Sequence, residues 1–236
     1  MGFWGTIGGF LSGAGSFISG AISSIGSALG GFAKSMISVV AKLPIPGISD
    51  IARVIEVVGK IANVISAVAK VLGINTEDDP TVLGAKAAQC DEKPENFEST
   101  EAYINHLRHN VKLDREKFDK MSSEEKLGCT AIGTAIYTKG VEEKMGGVDI
   151  PVECMGTIAK AQEAGITIDP KTIVAVIKAL KDAGITNMED ISDCIEGKGE
   201  SDRLKTSEII EEALGENGAE RMDQLESAIR QYEEEK

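Results

Sequence analysis

The first 33 residues carry no charged side chain; the first is Lys34. That absence excludes an ordinary surface helix, whose wet face carries lysines and glutamates. The same stretch has no Lys or Arg ahead of its apolar residues and no end to a short apolar core, which excludes an ordinary secretory signal. The chain is therefore expected to be made in the cytoplasm without a cleavable signal peptide, and to act at a membrane after release or injection. Four cysteines, Cys90, Cys129, Cys154 and Cys194, lie far apart with no C-x-x-C pair. They are too few for a disulfide scaffold and are expected as free thiols in a reducing compartment. Histidine is limited to His106 and His109 in "HLRH", with no carboxylate or thiol partner at ligand spacing and no H-E-x-x-H or EF-hand loop, so no metal site is expected.

Catalytic signatures are missing too. There is no G-x-S-x-G, and "GGFAKS" around Lys34 has the wrong spacing for a phosphate loop. No cofactor and no enzymatic activity are expected. With 38 acidic against 25 basic residues, net −13, the chain does not suit nucleic acid. No stretch alternates as a strand would, so the fold class is all-α.

What is present starts at residue 2: "GFWGTIGGFLSGAGSFISGAISSIGSALGG". Trp4, Ile7, Leu11, Ala14, Ile18, Ala21, Ile25, Ala28 and Phe32 recur at a 3-4 spacing, joined by Phe3, Phe10 and Phe17 at steps of seven. This is a helical stripe with a heptad period. Yet residues 2–31 hold ten glycines, and each costs a helix about 1 kcal/mol against alanine. Packing partners or lipid must supply the order. Gly5, Gly9 and Gly13 form overlapping G-x-x-x-G steps, and Gly26 and Gly30 another. Small residues at that interval let helices approach closely in lipid, where burial of apolar surface gives no drive to associate. These five glycines are the expected helix-packing face of a homo-oligomer, and Phe3, Trp4, Phe10 and Phe17 the expected membrane anchors.

A continuous helix from Phe3 to Leu43 would be about 60 Å long, roughly twice a bilayer's hydrocarbon core. A break at Gly8-Gly9 or Gly30-Gly31, projection beyond the membrane, or burial in an assembly are the ways to accommodate it. Pro44, Pro46 and Gly47 in "PIPG" are the expected hairpin turn. A second, amphipathic helix follows, capped by Ser49 or Asp50, with Ile51, Val54, Ile55, Val58, Ile61, Ile65, Val68 and Leu72 on one face. Lys34, Lys42, Arg53, Lys60 and Lys70 against Asp50 and Glu56 give residues 1–74 a net of +3, suited to anionic lipid. Lys34 and Lys42 could halt insertion at the headgroups.

The expected organisation is a glycine-rich helical hairpin over 1–74, an acidic linker over 75–98 with one short helix near Val82 to Cys90, and a soluble acidic multi-helix domain over 99–236. In that last part Ser99 or Thr100, Ser122 with Glu125, and Asp169-Pro170 read as helix starts, and Gly184 as a stop. "AGIT" recurs at Ala164–Thr167 and Ala183–Thr186, as local turn chemistry rather than a solenoid repeat.

In composition and period, the first forty residues resemble membrane-active sequences of separate origin: amphipathic peptide toxins, hydrophobic hairpins of pore-forming bacteriocins, and glycine-rich N-termini of viral proteins that carry genomes across membranes. The resemblance covers about the first sixth of the chain and implies a mode of action, with no residue roles to carry over. The function expected is non-enzymatic insertion into a lipid bilayer, as a pore or lytic channel. Residues 99–236 would then serve solubility, regulation or docking to a carrier or chaperone protein. The competing expectation is a structural subunit of a large assembly, such as a virion, a phage-tail-like particle or a secretion machine, whose first helix packs on protein instead of lipid.

Overall fold

A computed structural model describes residues 3–43, 50–167, 169–195 and 203–234. Among them are twelve α-helices and no strand. Among the described residues the sole strand-like pairing is an isolated parallel bridge between Asp149 and Asn187. The helices are α1 (Phe3–Ile25), α2 (Ser27–Lys42), α3 (Ile51–Val71), α4 (Pro80–Gln89), α5 (Thr100–His109) and α6 (Arg115–Lys120), followed by α7 (Ser123–Lys144), α8 (Glu153–Glu163), α9 (Pro170–Asp182), α10 (Glu189–Ile195), α11 (Arg203–Leu214) and α12 (Gly218–Glu234).

Local chemistry sets the helix starts. Asp50, Asp79, Ser99 and Asp169 each accept a backbone N–H of the first turn. Ser122 and Glu125 form a reciprocal capping box at the head of α7. Both copies of "AGIT" close a helix in the same way: Gly165 and Gly184 take φ of +81° and +85°. The following Ile166 and Ile185 amides reach back to the carbonyls of Ala161 and Leu180, at 3.0 and 2.9 Å. Glycine is needed there because a Cβ disfavours that left-handed conformation.

The architecture is organised around α7. From Leu127 to Thr138 every residue but Thr130 is buried, with α4, α3, α1 and α2 laid against it. A helix buried all round must satisfy its own polar groups. Thr130, Thr134 and Thr138 do so by donating to carbonyls four residues back, at 2.9, 2.8 and 2.9 Å. One continuous apolar cluster runs from Phe10 of α1 through Ile132 and Ile136 of α7 to Ile177, Ile210 and Met222. Residues 75–98 contain the expected short helix as α4, in intimate contact with α7 rather than lying free.

The heptad stripe holds along α1, where Ala14, Ile18, Ala21 and Ile25 are buried, and then loses its phase. Gly26 takes φ +77°, so α1 and α2 are separate helices. Ala28 turns outward while Ala33, Met36, Ile37 and Val40 face the core. The break thus falls at Gly26, not at Gly8-Gly9 or Gly30-Gly31, which lie within helices. On α3 the buried arc includes Val57 and Val64, and Ile55 is 36% exposed. The arc is wider than the expected stripe because α3 is clasped between α7 on one side and α8 and α9 on the other.

Candidate functional site

The glycine-rich helix is built into the fold through its apolar edge. Phe10 is buried, and Phe17 is half-buried against Gly128 of α7, where a Cβ would come within 2.7 Å of the Phe17 ring. In this fold both expected anchors therefore serve the core. Phe3, Trp4 and Gly5 open α1, but their surroundings lie outside the described residues, as do Pro44, Pro46 and Gly47.

The expected packing glycines divide. A Cβ on Gly13 would meet the Glu124 side chain at 3.1 to 3.3 Å, and one on Gly30 would come within 2.8 Å of Ile22. Gly26 is the joint between α1 and α2, with the Glu95 carboxylate close over it. Gly9 faces open space, as do Gly8, Gly15 and Gly20. With Ser12, Ser16, Ser19 and Ser23 they give α1 an outer face that is small, polar only through hydroxyls and peptides, and uncharged. Among the described residues no helix is long and apolar enough to cross a membrane.

A close helix approach, between α4 and α7, involves glycines that sequence reasoning passed over. A Cβ on Gly84 of α4 would come within 2.9 Å of the Gly133 amide and closer still to the Cys129 carbonyl. Gly133 in turn abuts the Pro80 carbonyl so closely that no side chain fits. The signal was available in "GCTAIG" and "LGAKAA", short runs of small residues on two helices. Thr81 and Thr130 hydroxyls, 2.9 Å apart, fasten the same crossing.

Charge ties α3 to the end of α8. Glu163, whose side chain is only 5% exposed, receives Arg53 and, at 2.9 Å, Lys60. Glu56 also pairs with Lys60 at 2.9 Å and with Arg53 at 2.6 Å. The hydrogen bond from Lys60, then that from Arg53, pulls the Glu56 carboxyl down to about 2.

The thiols of Cys90, Cys129 and Cys154 are poor nucleophiles by contrast. Burial pushes Cys129 up to about 12 and Cys154 to about 11, and raises Cys90. A protonated buried thiol is a poor nucleophile. His106 leans on the Phe97 ring at 4.9 Å between centroids and lies 3.7 Å from Glu92. Among the described residues no three His, Cys, Asp or Glu side chains gather to hold a metal.

A cavity of about 400 Å³ opens between α3, α8, α9, α10, α11 and α12, with Val141 of α7 also in its wall. Its walls are aliphatic: Ile65 and Val68 of α3, Ile158 of α8, Ile173 and Val176 of α9, Ile210 of α11 and others of the same kind. Polar groups reach it at a few points. Cys154 donates its S–H to the Met188 carbonyl at 3.3 Å and accepts from Ser192 at 3.5 Å. Asp169 is committed to capping α9 through the amides of Lys171 and Thr172. Arg221 and Gln224 lie at the solvent-exposed rim.

No protein-family profile, no curated protein and no solved structure matches this chain.

Proposed function

We propose that this chain is a non-enzymatic membrane-inserting protein. Its α1 helix rests on α7 in the folded form and enters lipid as a self-associating bundle when it leaves. One observation carries the reading: α1 has no charge on either face, neither the apolar edge packed on α7 nor the glycine and serine face turned to solvent. Nothing on α1 would have to shed a charge to enter a bilayer, where a charged side chain at the centre costs about 2.5 to 3.5 kcal/mol or more. At 23 residues α1 is about 35 Å long, close to a hydrocarbon core of about 30 Å. Its glycine and serine content makes a lone crossing unfavourable. A bundle whose small faces meet one another answers that, because close backbone approach is how helices associate in lipid. The acidic remainder would keep the segment soluble until insertion.

The test uses the geometry at Gly13. An ideal Cβ there lies 3.3 Å from the Glu124 Cβ, near the separation of bridged cysteines. A Gly13→Cys, Glu124→Cys chain, in a Cys194→Ser background, should staple α1 to α7 when oxidised. Oxidised protein is expected to leave dye-loaded anionic vesicles intact, and reduced protein to empty them as the parent does. Equal release from both forms would show that α1 need not leave α7. Silence from the parent as well would shift the reading to an assembly subunit, whose open glycine face docks on protein. A Gly9→Leu chain that permeabilises like the parent would remove the packing role from that face.

A further inference from the structure

We infer that the aliphatic cavity binds one single-chain anionic amphiphile of the fatty-acid class, chain inward and carboxylate at Arg221. Its volume of about 400 Å³ falls within the range of small-molecule sites, about 300 to 1,000 Å³. The lining selects the chemistry of the guest. Isoleucine and valine dominate it, and none of its described residues is aromatic, so it offers no ring on which a planar ligand could stack. A flexible methylene chain fits such walls, and each buried methylene is worth about a fourfold gain in affinity, at about 0.8 kcal/mol.

The rim selects the head. Arg221 spends one of its donors on the Leu214 carbonyl, at 2.7 Å, which anchors the side chain where α11 and α12 meet. A guanidinium carries five N–H donors, so a carboxylate can still be gripped. Gln224 stands beside it and contacts Glu220 at 3.3 Å. Among the described lining residues the one carboxylate, Asp169, has its oxygens turned to the α9 amides and the Thr172 hydroxyl. The inference does not depend on membrane insertion; a chain that never enters lipid could still carry this ligand.

The experiment is a fluorescence titration of the full chain with cis-parinaric acid, displaced by dodecanoate or by neutral dodecanol, all below their micellar concentrations. One saturable site per chain is expected. Val176→Phe, which intrudes on the cavity, should weaken it by at least about tenfold. Arg221→Glu, at an exposed position, should weaken dodecanoate by at least about tenfold and leave dodecanol unchanged. Circular dichroism checks that both variants are folded, and the Arg221 result stands alone should Val176→Phe fail to fold. Absence of a saturable site would overturn the inference. So would a site untouched by Val176→Phe in folded protein, which would place the probe on α1 and α2. Equal loss of dodecanoate and dodecanol in Arg221→Glu would overturn the anionic head.

Discussion

On α7, Gly133 lies so near the Pro80 carbonyl that no side chain fits between them; on α1, Gly9, Gly15 and Gly20 look into open space. The residue is the same, and both helices are rich in small side chains. The α4–α7 crossing uses glycine as a condition of the fold. The outer face of α1 carries glycines the folded chain does not use, at a cost in helix stability, which is why we place their use in another state. Small residues thus say that two backbones can come close, and only the surrounding packing says whether they do.

The sharpest way to break this contrast is Gly133→Leu. A side chain there must push α4 away from α7, and we expect a loss of at least about 3 kcal/mol, the upper end of overpacking costs. A chain melting within a few degrees of the parent would show that the crossing gives way cheaply. On α1 the opposite sign is expected. Gly9→Ala, Gly15→Ala and Gly20→Ala together meet no atom within 4 Å and should stabilise the chain by about 2 to 3 kcal/mol in urea unfolding. A destabilised triple variant would mean that the outer face is already occupied.

Glu163→Gln sharpens the comparison from a third place, since it unfastens α3 from α8 without touching a glycine. Leaving Arg53 and Lys60 without their shared buried carboxylate should cost about 2 kcal/mol, between exposed and buried ion pairs. If the variant matches the parent in denaturant, Glu56 alone suffices for both cations.

The smallest effects are read by pH. Glu56, held at about 2 instead of 4.5 by Lys60 and Arg53, adds stability that is full above 4.5 and fades as pH falls towards about 2. Lys60→Met should flatten that acid limb of the stability profile. Cys129 works at the other end. Its thiol is raised from 9.0 to about 12 by burial, so its contribution is full below pH 9 and is lost as pH rises towards about 12. A Cys154→Ser, Cys194→Ser chain should react with a thiol reagent at neutral pH only after unfolding; prompt reaction of the native protein would contradict the burial of Cys90 and Cys129.

Much of the helical grammar was legible before the structure. Asp50, Ser99, Ser122 with Glu125, and Asp169 could be picked out because capping depends on a few adjacent residues. The role of α7 was not, because "LGCTAIGTAIYTKG" looks only mildly apolar. Its threonines become core residues once their hydroxyls fold back on the helix's own carbonyls. The heptad reading overran Gly26 because composition keeps its period through Ala28 and Phe32 while the backbone does not. The cavity was beyond reach for another reason: its lining comes from seven helices and the turns between them, spread between Ile65 and Leu225, and no local pattern announces such a convergence.

Gly26 has one more consequence. Because a single left-handed residue joins α1 to α2, a change in two backbone dihedrals can swing α1 outward while α2 keeps its seat on α7 and α8. The helix then forms a cooperative unit of its own, whose opening costs its own interface and not the whole fold. In deuterated water its amides should exchange as a block, well ahead of those of α7, which have to wait for the entire molecule to come apart.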